Sequence, residues 1–456
     1  MPVSAARKIA YEVLCHVAGE GAYASDLLHA RLRPGIARND AALATELTLG
    51  VLRRQRLLDF ILARHLDRPV EKLDLEVLIA LRLGLYQLRY LERVPAHAAV
   101  SESAEMAKGA RKRSAVALIN AVLRRTALEA RAPEEELQRW LPADAPAAER
   151  AAILYSHPTW LVERWLGRLG PERTDALLKC DNCAPRLSCA VLSADGAPIA
   201  ASLQAAGMCV APGRWLASTL ALSGGNATAT EAFLQGQISL QDEASQMIAH
   251  LLAAEPGQRV LDLCAAPGGK AGLLAHAVGG HGAVIAADLH AHRLRSMQTQ
   301  LARTHTGNVY PIALDATRVL PFAQRFARIL VDAPCSGTGT LARNPEIRWR
   351  LKPHDLANAQ RVQVAMLSNA LDLLAPGGRL VYSTCSLEAE ENEEVVQQAL
   401  RASRNVGLVS GQAALARHLL RAESAAALFD SQGFFRTFPP ETGTDGFFAA
   451  VLERST

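Results

Sequence analysis

The 456-residue sequence predicts a multidomain chain: an all-α N-terminal bundle, a small α+β middle region, and a C-terminal α/β domain built on an open parallel sheet. Three observations carry that prediction. The stretch Val260-Leu-Asp-Leu-Cys-Ala-Ala-Pro-Gly-Gly-Lys270 is an apolar run that stops in a glycine turn, with a helix-like pattern following to Val278. Four further apolar runs end in polar residues: Ala283–Ala287 in Asp288, Tyr310–Leu314 in Asp315, Ile329–Val331 in Asp332, and Arg379–Ser383 in Thr384-Cys385-Ser386. The first 130 residues, by contrast, read as helix throughout.

Taken in order, Ala6 to Val17 places Ile9, Val13, Leu14 and Val17 at helical spacing, and Leu43–Leu62 and Leu75–Leu91 repeat the pattern. Asn39 and Asp40 stand where a helix N-cap is expected, and Asp74 does so before Leu75. Leu75, Leu78, Leu81, Leu85 and Leu88 trace a stripe that belongs to a core. Short connections make residues 1–135 a compact bundle. Ala132–Ala147 is rich in Pro, Ala and Glu and reads as a linker. Residues 145–235 open with a helix carrying Trp160, Leu161, Trp165 and Leu169 on one face, and Leu187–Leu192 and the region of Ser239 read as short strands of an α+β unit. Residues 236–456 hold the α/β domain. After Ser383 an acidic helix opens over Glu388–Glu394, and Phe434–Phe438 and Gly446–Val451 read as two strands that complete the sheet edge.

Half of the residues are hydrophobic and 21% are charged, the balance of a soluble globular chain. No apolar run is long enough to span a bilayer and no signal segment is evident, so no membrane association is expected. The eight cysteines lack disulfide-framework spacing, and Cys264, Cys335 and Cys385 each follow an expected strand, which suits a reducing cytoplasm. Cys180, Cys183 and Cys189 have no second pair or histidine at finger spacing, so no metal is expected. Net charge is only +4, but residues 1–140 carry 22 Lys and Arg against 17 Asp and Glu. Clusters at Arg53-Arg54-Gln55-Arg56, at Lys108 with Arg111-Lys112-Arg113, and at Arg124-Arg125 suit a phosphate backbone.

In an open parallel sheet the ligand lies beyond the carboxyl ends of the strands. A P-loop requires glycine and Ser or Thr where this chain has Cys264 and Ala271, and Gly268, Gly269 and Gly272 do not make a dinucleotide fingerprint. A nucleoside ligand without phosphate remains. Asp288 is then placed for ribose hydroxyls and Asp315 for the amino group of the base, and the sulfonium of S-adenosylmethionine suits an acidic crevice. Two cysteines are placed to prepare a methyl acceptor: Cys335 in Asp332-Ala-Pro-Cys-Ser-Gly-Thr-Gly339 and Cys385 in Ser383-Thr-Cys-Ser386. Thiolate addition at carbon 6 of cytosine makes carbon 5 nucleophilic, a covalent route that divides one difficult step in two. Asp332 is placed at the N3 edge of the base. These residues alone leave open which cysteine attacks.

The motifs Cys264–Lys270, Asp332–Gly339, Asn344-Pro-Glu-Ile-Arg-Trp349, Tyr382–Ser386 and Thr444-Asp-Gly-Phe-Phe448 together resemble the bacterial 16S rRNA (cytosine-5) methyltransferase B family, the Sun/Fmu proteins, within the wider NOL/NOP/Sun group. Ala44–Val51 is similar to the NusB-type helical domain of that family. The resemblance implies a NusB-like bundle and a Rossmann-like class I methyltransferase domain. It implies S-adenosylmethionine held by Cys264, Ala265, Ala266, Pro267, Gly268, Gly269, Lys270, Asp288, Asp315 and Asp332. It further implies Cys385 as nucleophile, Cys335 as the residue assisting release, Asp332 as a catalytic carboxylate, and 16S rRNA, free or in a pre-30S particle, as the partner of a monomeric chain. Ala271 stands where the family often has threonine. Two other readings are a NusB-like RNA scaffold whose enzyme domain is inactive, against which Cys385, Cys335 and Asp332 are all intact, and a DNA cytosine-5 methyltransferase attacking through Cys335.

Overall fold

The computed structural model describes residues 3–32, 35–129, 134–193, 195–403 and 405–456. It divides into two compact units, Met1–Ala184 with Leu341–Leu351, and Pro185–Thr340 with Lys352–Thr456.

In the first unit, the apolar periodicity becomes the helices Ala5–Glu20, Arg38–Ala63 and Leu75–Tyr90, followed by Ala96–Gly109 and Val116–Glu129. Their inward stripes form one core in which Leu14, Leu47, Leu58, Ile61, Ile79 and Leu81 are sealed from solvent. Gly50 lets two of these helices approach closely: a Cβ there would lie 2.1 Å from Cζ of Tyr86, whose hydroxyl donates to Glu46 at 2.6 Å. Helix Arg38–Ala63 begins ahead of Asn39 and Asp40, with Ala37 at its N-cap, so both residues lie in its first turn. Asp74 does occupy the N-cap of Leu75–Tyr90, but its carboxylate makes no cap hydrogen bond and pairs with Lys112 Nζ at 2.9 Å. Of the expected linker, residues 132 and 133 lie outside the described residues, whereas Glu134–Trp140 is helical. A glutamate run favours helix, and Leu137 drops into the bundle core.

The basic cluster at residues 53–56 is largely internal wiring. Arg53 is buried and donates to Ala342 O at 2.9 Å, while Arg56 donates to His157 O at 2.7 Å and pairs with Glu149. Arg111, Arg113, Arg124 and Arg125 remain exposed. The returning segment Leu341–Leu351 is fixed by donors and acceptors that have left water. Fully buried Arg348 donates to Ser156 O, Asp181 O and Leu341 O at 3.0–3.3 Å and to Asn182 Oδ1 at 3.1 Å. Trp349 Nε1 donates to Leu52 O at 2.8 Å, and Glu346 accepts from the Ala24 N–H at 3.0 Å. Burial, and then the Arg348 cation beside it, push the pKa of buried His157 well below its ordinary value.

Among the described residues the second unit has twelve strands: β1 Leu187–Val191, β2 Cys209–Pro212, β3 Thr219–Ser223, β4 Ile238–Leu240, β5 Arg259–Asp262, β6 Ala283–Asp288, β7 Val309–Ala313, β8 Phe326–Asp332, β9 Leu374–Thr384, β10 Val406–Val409, β11 Phe435–Thr437 and β12 Phe447–Arg454. The first four make a small antiparallel sheet in the order β2-β3-β1-β4. The others make a sheet ordered β10-β12-β9-β8-β5-β6-β7, with β11 paired to β12. β5 to β9 run parallel, and β12 pairs antiparallel with β9. β12 therefore lies inside the sheet rather than completing its edge. The edge is β10, a four-residue strand whose Gly407 weakens its sequence signal. From β5 the chain winds outward through β6 and β7, then returns to lay β8 on the other side. The crevice between β5 and β8 is a topological switch point.

Candidate active site

At that switch point the carboxyl ends of β5 and β8 border a cavity of about 150 Å³, lined by Gln241, Ser245, Asp262, the loop Cys264–Pro267, Gly269, Lys270 and Asp332, with Leu240 at its side. The loop is pinned to the sheet where Ala265 N–H donates to Ala287 O at 2.8 Å, and helix Gly269–Val278 leaves it. Gln241 arrives directly from β4 and is tied to β1 by its N–H on Ser188 O at 3.0 Å. The small sheet thus supplies part of the cavity wall.

Asp262 is the unusual group. It is 1% exposed, and neither carboxylate oxygen has a hydrogen-bond partner. Burial, then the neighbouring Asp332 carboxylate, raise its pKa to about 7; Lys270 and the nearby Cys264 amide pull less strongly the other way. Asp332 is satisfied: Lys270 Nζ donates to its Oδ2 at 2.7 Å and Ser383 Oγ to its Oδ1 at 2.8 Å. Burial works against the Lys270 ammonium, but Asp332 outweighs it and holds that pKa above its ordinary value. The same ammonium sits 5.1 Å from the ring centre of Phe447 on β12. Cys264 is kept a neutral thiol, first by burial and then by the charges of Asp262, Asp332 and Asp288.

Asp288, at the end of β6, accepts from His290 N–H at 2.9 Å and pairs with Arg293 at 3.3 Å. Arg293 also reaches Ala266 O at 3.2 Å, tying this strand end to the loop. Asp315 follows β7, where its carboxylate accepts from the Thr317 N–H and hydroxyl at 2.9 and 2.6 Å and pairs with Arg318. Those bonds hold its pKa below the ordinary carboxylate value. Neither Asp288 nor Asp315 lines the cavity.

Cys335, beyond β8, and Cys385, beyond β9, meet with their sulfurs 3.4 Å apart. The close Cys385 sulfur, then burial, push the Cys335 thiol well above its ordinary value. Their loops are locked by backbone as well: Gly339 N–H donates to Cys385 O at 2.9 Å, and Gly446 N–H to Gly339 O at 2.7 Å. A Cβ on Gly339 would stand 2.1 Å from Gly446 O, so the Thr-Gly339 and Asp-Gly446 turns require each other.

The structure therefore brings Cys264–Lys270, Asp332, Cys335 and Cys385 to neighbouring strand ends, with Asp288 alongside and Asp315 farther out. Sequence reasoning missed Asp262 and Phe447 as site residues. Asp262 carried a signal like that of the other aspartates, an apolar run meeting Asp, but it stands two residues ahead of the motif counted from Cys264 and was read as part of the run.

The chain matches the family model described as 16S rRNA methyltransferase RsmB/F over residues 249–453, and that of the NusB family over residues 4–127. It is 30% identical over 459 residues to the probable ribosomal RNA small subunit methyltransferase B of Bacillus subtilis (strain 168), with 100% of both chains covered. It is 34% identical to the ribosomal RNA small subunit methyltransferase B of Pseudomonas putida over 418 residues, covering 91% of this chain and 90% of the relative. The crystal structure of PH0851 matches the whole of both chains with a TM-score of 0.81 at 24% identity, a likeness of fold.

Proposed function

Because the chain belongs to the family of 16S rRNA methyltransferases RsmB/F, we propose that it methylates carbon 5 of a cytosine in 16S rRNA, with S-adenosylmethionine as donor and a covalent Cys385–carbon 6 adduct as intermediate. The observation that carries this reading is the pair of thiols 3.4 Å apart next to the Lys270–Asp332 ion pair.

The cavity residues fit the donor. A buried carboxylate with two free oxygens, Asp262, faces a space suited to a cationic group, and the side-chain-free Gly269 keeps the backbone open there. Residues 264–270 with Asp288, Asp315 and Asp332 would hold the molecule. When bound it supplies a methyl group on an electron-poor sulfonium.

The protein's own residues do the rest. The Cys385 thiolate adds to carbon 6 of a cytosine flipped out of its stack, and the ring electrons move toward carbon 5 and N3. Asp332, fixed by Lys270 and Ser383, faces the N3 edge and delivers there the proton that Cys385 gives up in becoming a thiolate, which neutralises the adduct. Once carbon 5 carries its methyl, its remaining proton passes to a base beside it, a role for which Cys335 is placed, the carbon 5–carbon 6 double bond re-forms and the carbon 6–sulfur bond breaks, returning the Cys385 thiolate. Cys335, in contact with that sulfur, assists this release. Residues 1–135 and 145–235 take the RNA, and the exposed arginines 111, 113, 124 and 125 suit its phosphates. The monomeric enzyme meets 16S rRNA in the cytoplasm, free or in a pre-30S particle.

The test is transfer of labelled methyl to unmethylated 16S rRNA by wild type, Cys385→Ala and Cys335→Ala. Cys385→Ala is expected to be inert, and Cys335→Ala to accumulate a protein–RNA adduct that survives denaturation. An active Cys385→Ala alongside a Cys335→Ala that forms no adduct reverses the roles and restores a DNA-type mechanism. A wild type that transfers nothing returns the chain to a scaffold.

A further inference from the structure

Behind the two thiols lies a buried polar node that the mechanism above does not use. Glu391, on the short turn Ala389–Glu391 after β9, is 0% exposed. Its Oε1 accepts from the Ser336 N–H at 2.8 Å and from Gln363 Nε2 at 3.1 Å, and its Oε2 accepts from the hydroxyls of both Ser336 and Ser386. Ser336 follows Cys335 directly, and Ser386 follows Cys385. The two hydroxyls also touch each other at 3.0 Å, and Gln363 reaches Pro334 O at 2.9 Å. One carboxylate thus grips a residue of each cysteine loop, and a glutamine braces the first loop from the helix Pro353–Asp372.

We infer that Glu391 is a positioning residue that sets the spacing of Cys335 and Cys385. This rests on the two-cysteine reading above. The two thiols serve adjacent ring atoms of one base, one bonded at carbon 6 and the other acting at carbon 5. They come from separate strands, β8 and β9, so their separation is only as fixed as the loops beyond those strands. The geometry also separates shape from charge. A glutamine at 391 can meet the same partners, its oxygen accepting from Ser336 N–H and Gln363 while its amide donates to the two hydroxyls, which turn to accept. An alanine meets none of them.

The experiment reads the spacing without RNA. Full-length wild type, Glu391→Gln and Glu391→Ala are treated with the bifunctional thiol reagent dibromobimane, and the Cys335–Cys385 bridge is quantified by peptide mapping. The same proteins are then given unmethylated 16S rRNA and S-adenosylmethionine, and formation and decay of the covalent adduct are timed. Glu391→Ala is expected to bridge on the order of tenfold more slowly and to hold its adduct on the order of tenfold longer than wild type, as misplaced reacting groups do. Glu391→Gln should restore most of both rates. An alanine variant that bridges and resolves like wild type overturns the inference, as does a glutamine variant no better than alanine. If Glu391→Ala does not fold, Ser336→Ala with Ser386→Ala removes the two hydroxyls and leaves the carboxylate in place; wild-type bridging in that double variant overturns the inference equally. A wild type that forms no adduct, with bridging still dependent on residue 391, supports the clamp and removes the covalent mechanism instead.

Discussion

Replacing Asp262 by asparagine should make the second unit more stable as the pH rises. The carboxyl titrates near pH 7 when folded against an ordinary value of 3.8. Below about pH 4 it is protonated in both states and contributes no difference; between that value and 7 the unfolded chain gives up the proton and the folded one keeps it. Stability is therefore lost through this window and is flat above it. At about 1.4 kcal/mol per pH unit, the wild type should lose roughly 3 kcal/mol between about pH 5 and pH 7 that Asp262→Asn does not lose. Urea unfolding across that range, read by hydrogen exchange in peptides spanning β5, follows this unit by itself. A cationic ligand offered to the free oxygens must displace the proton, so S-adenosylmethionine should bind more tightly to wild type as the pH rises through the same window, and the dependence should vanish in the variant. A difference between the two proteins that stays constant from pH 5 to pH 8 would refute the reasoning.

In the first unit, Gly50→Ala drives a methyl group into the Tyr86 ring and should cost about 1–3 kcal/mol, seen as a lower melting temperature. Arg348→Met removes the donor from three backbone carbonyls and Asn182 inside the same unit, and a loss of roughly 3–5 kcal/mol is expected by urea titration. Arg113→Ala, on the exposed surface, should stay within about 0.5 kcal/mol in the same titration.

The sequence made the parallel strands legible because each is a short apolar run closed by a polar residue at the end that faces the crevice. The bundle was legible because its leucines keep the helical period over long stretches. What stayed hidden depends on contacts between distant residues. Glu391 looks like one more charge in an acidic helix opening, and only folding places it under two serines that lie 55 and 5 residues away. Arg53 and Arg56 read as a basic patch because sequence cannot tell a solvated guanidinium from one donating to Ala342 O or His157 O. Asp74 sits at its cap position, yet Lys112 competes successfully for its carboxylate. β10 was missed for a local reason: four residues with a central glycine give too weak a pattern.

The return of Leu341–Leu351 to the helical unit bears on how the chain is made. A ribosome finishing residue 184 has delivered the helices from Ala5–Glu20 to Thr159–Cys180, but not the guanidinium that Ser156 and Asp181 carbonyls receive or the indole that Leu52 accepts. More than 150 residues of another unit emerge first. The bundle is therefore completed last-in, by a plug from late in translation, and a fragment cut at Ala184 carries an open slot with buried acceptors where Arg348 and Trp349 belong.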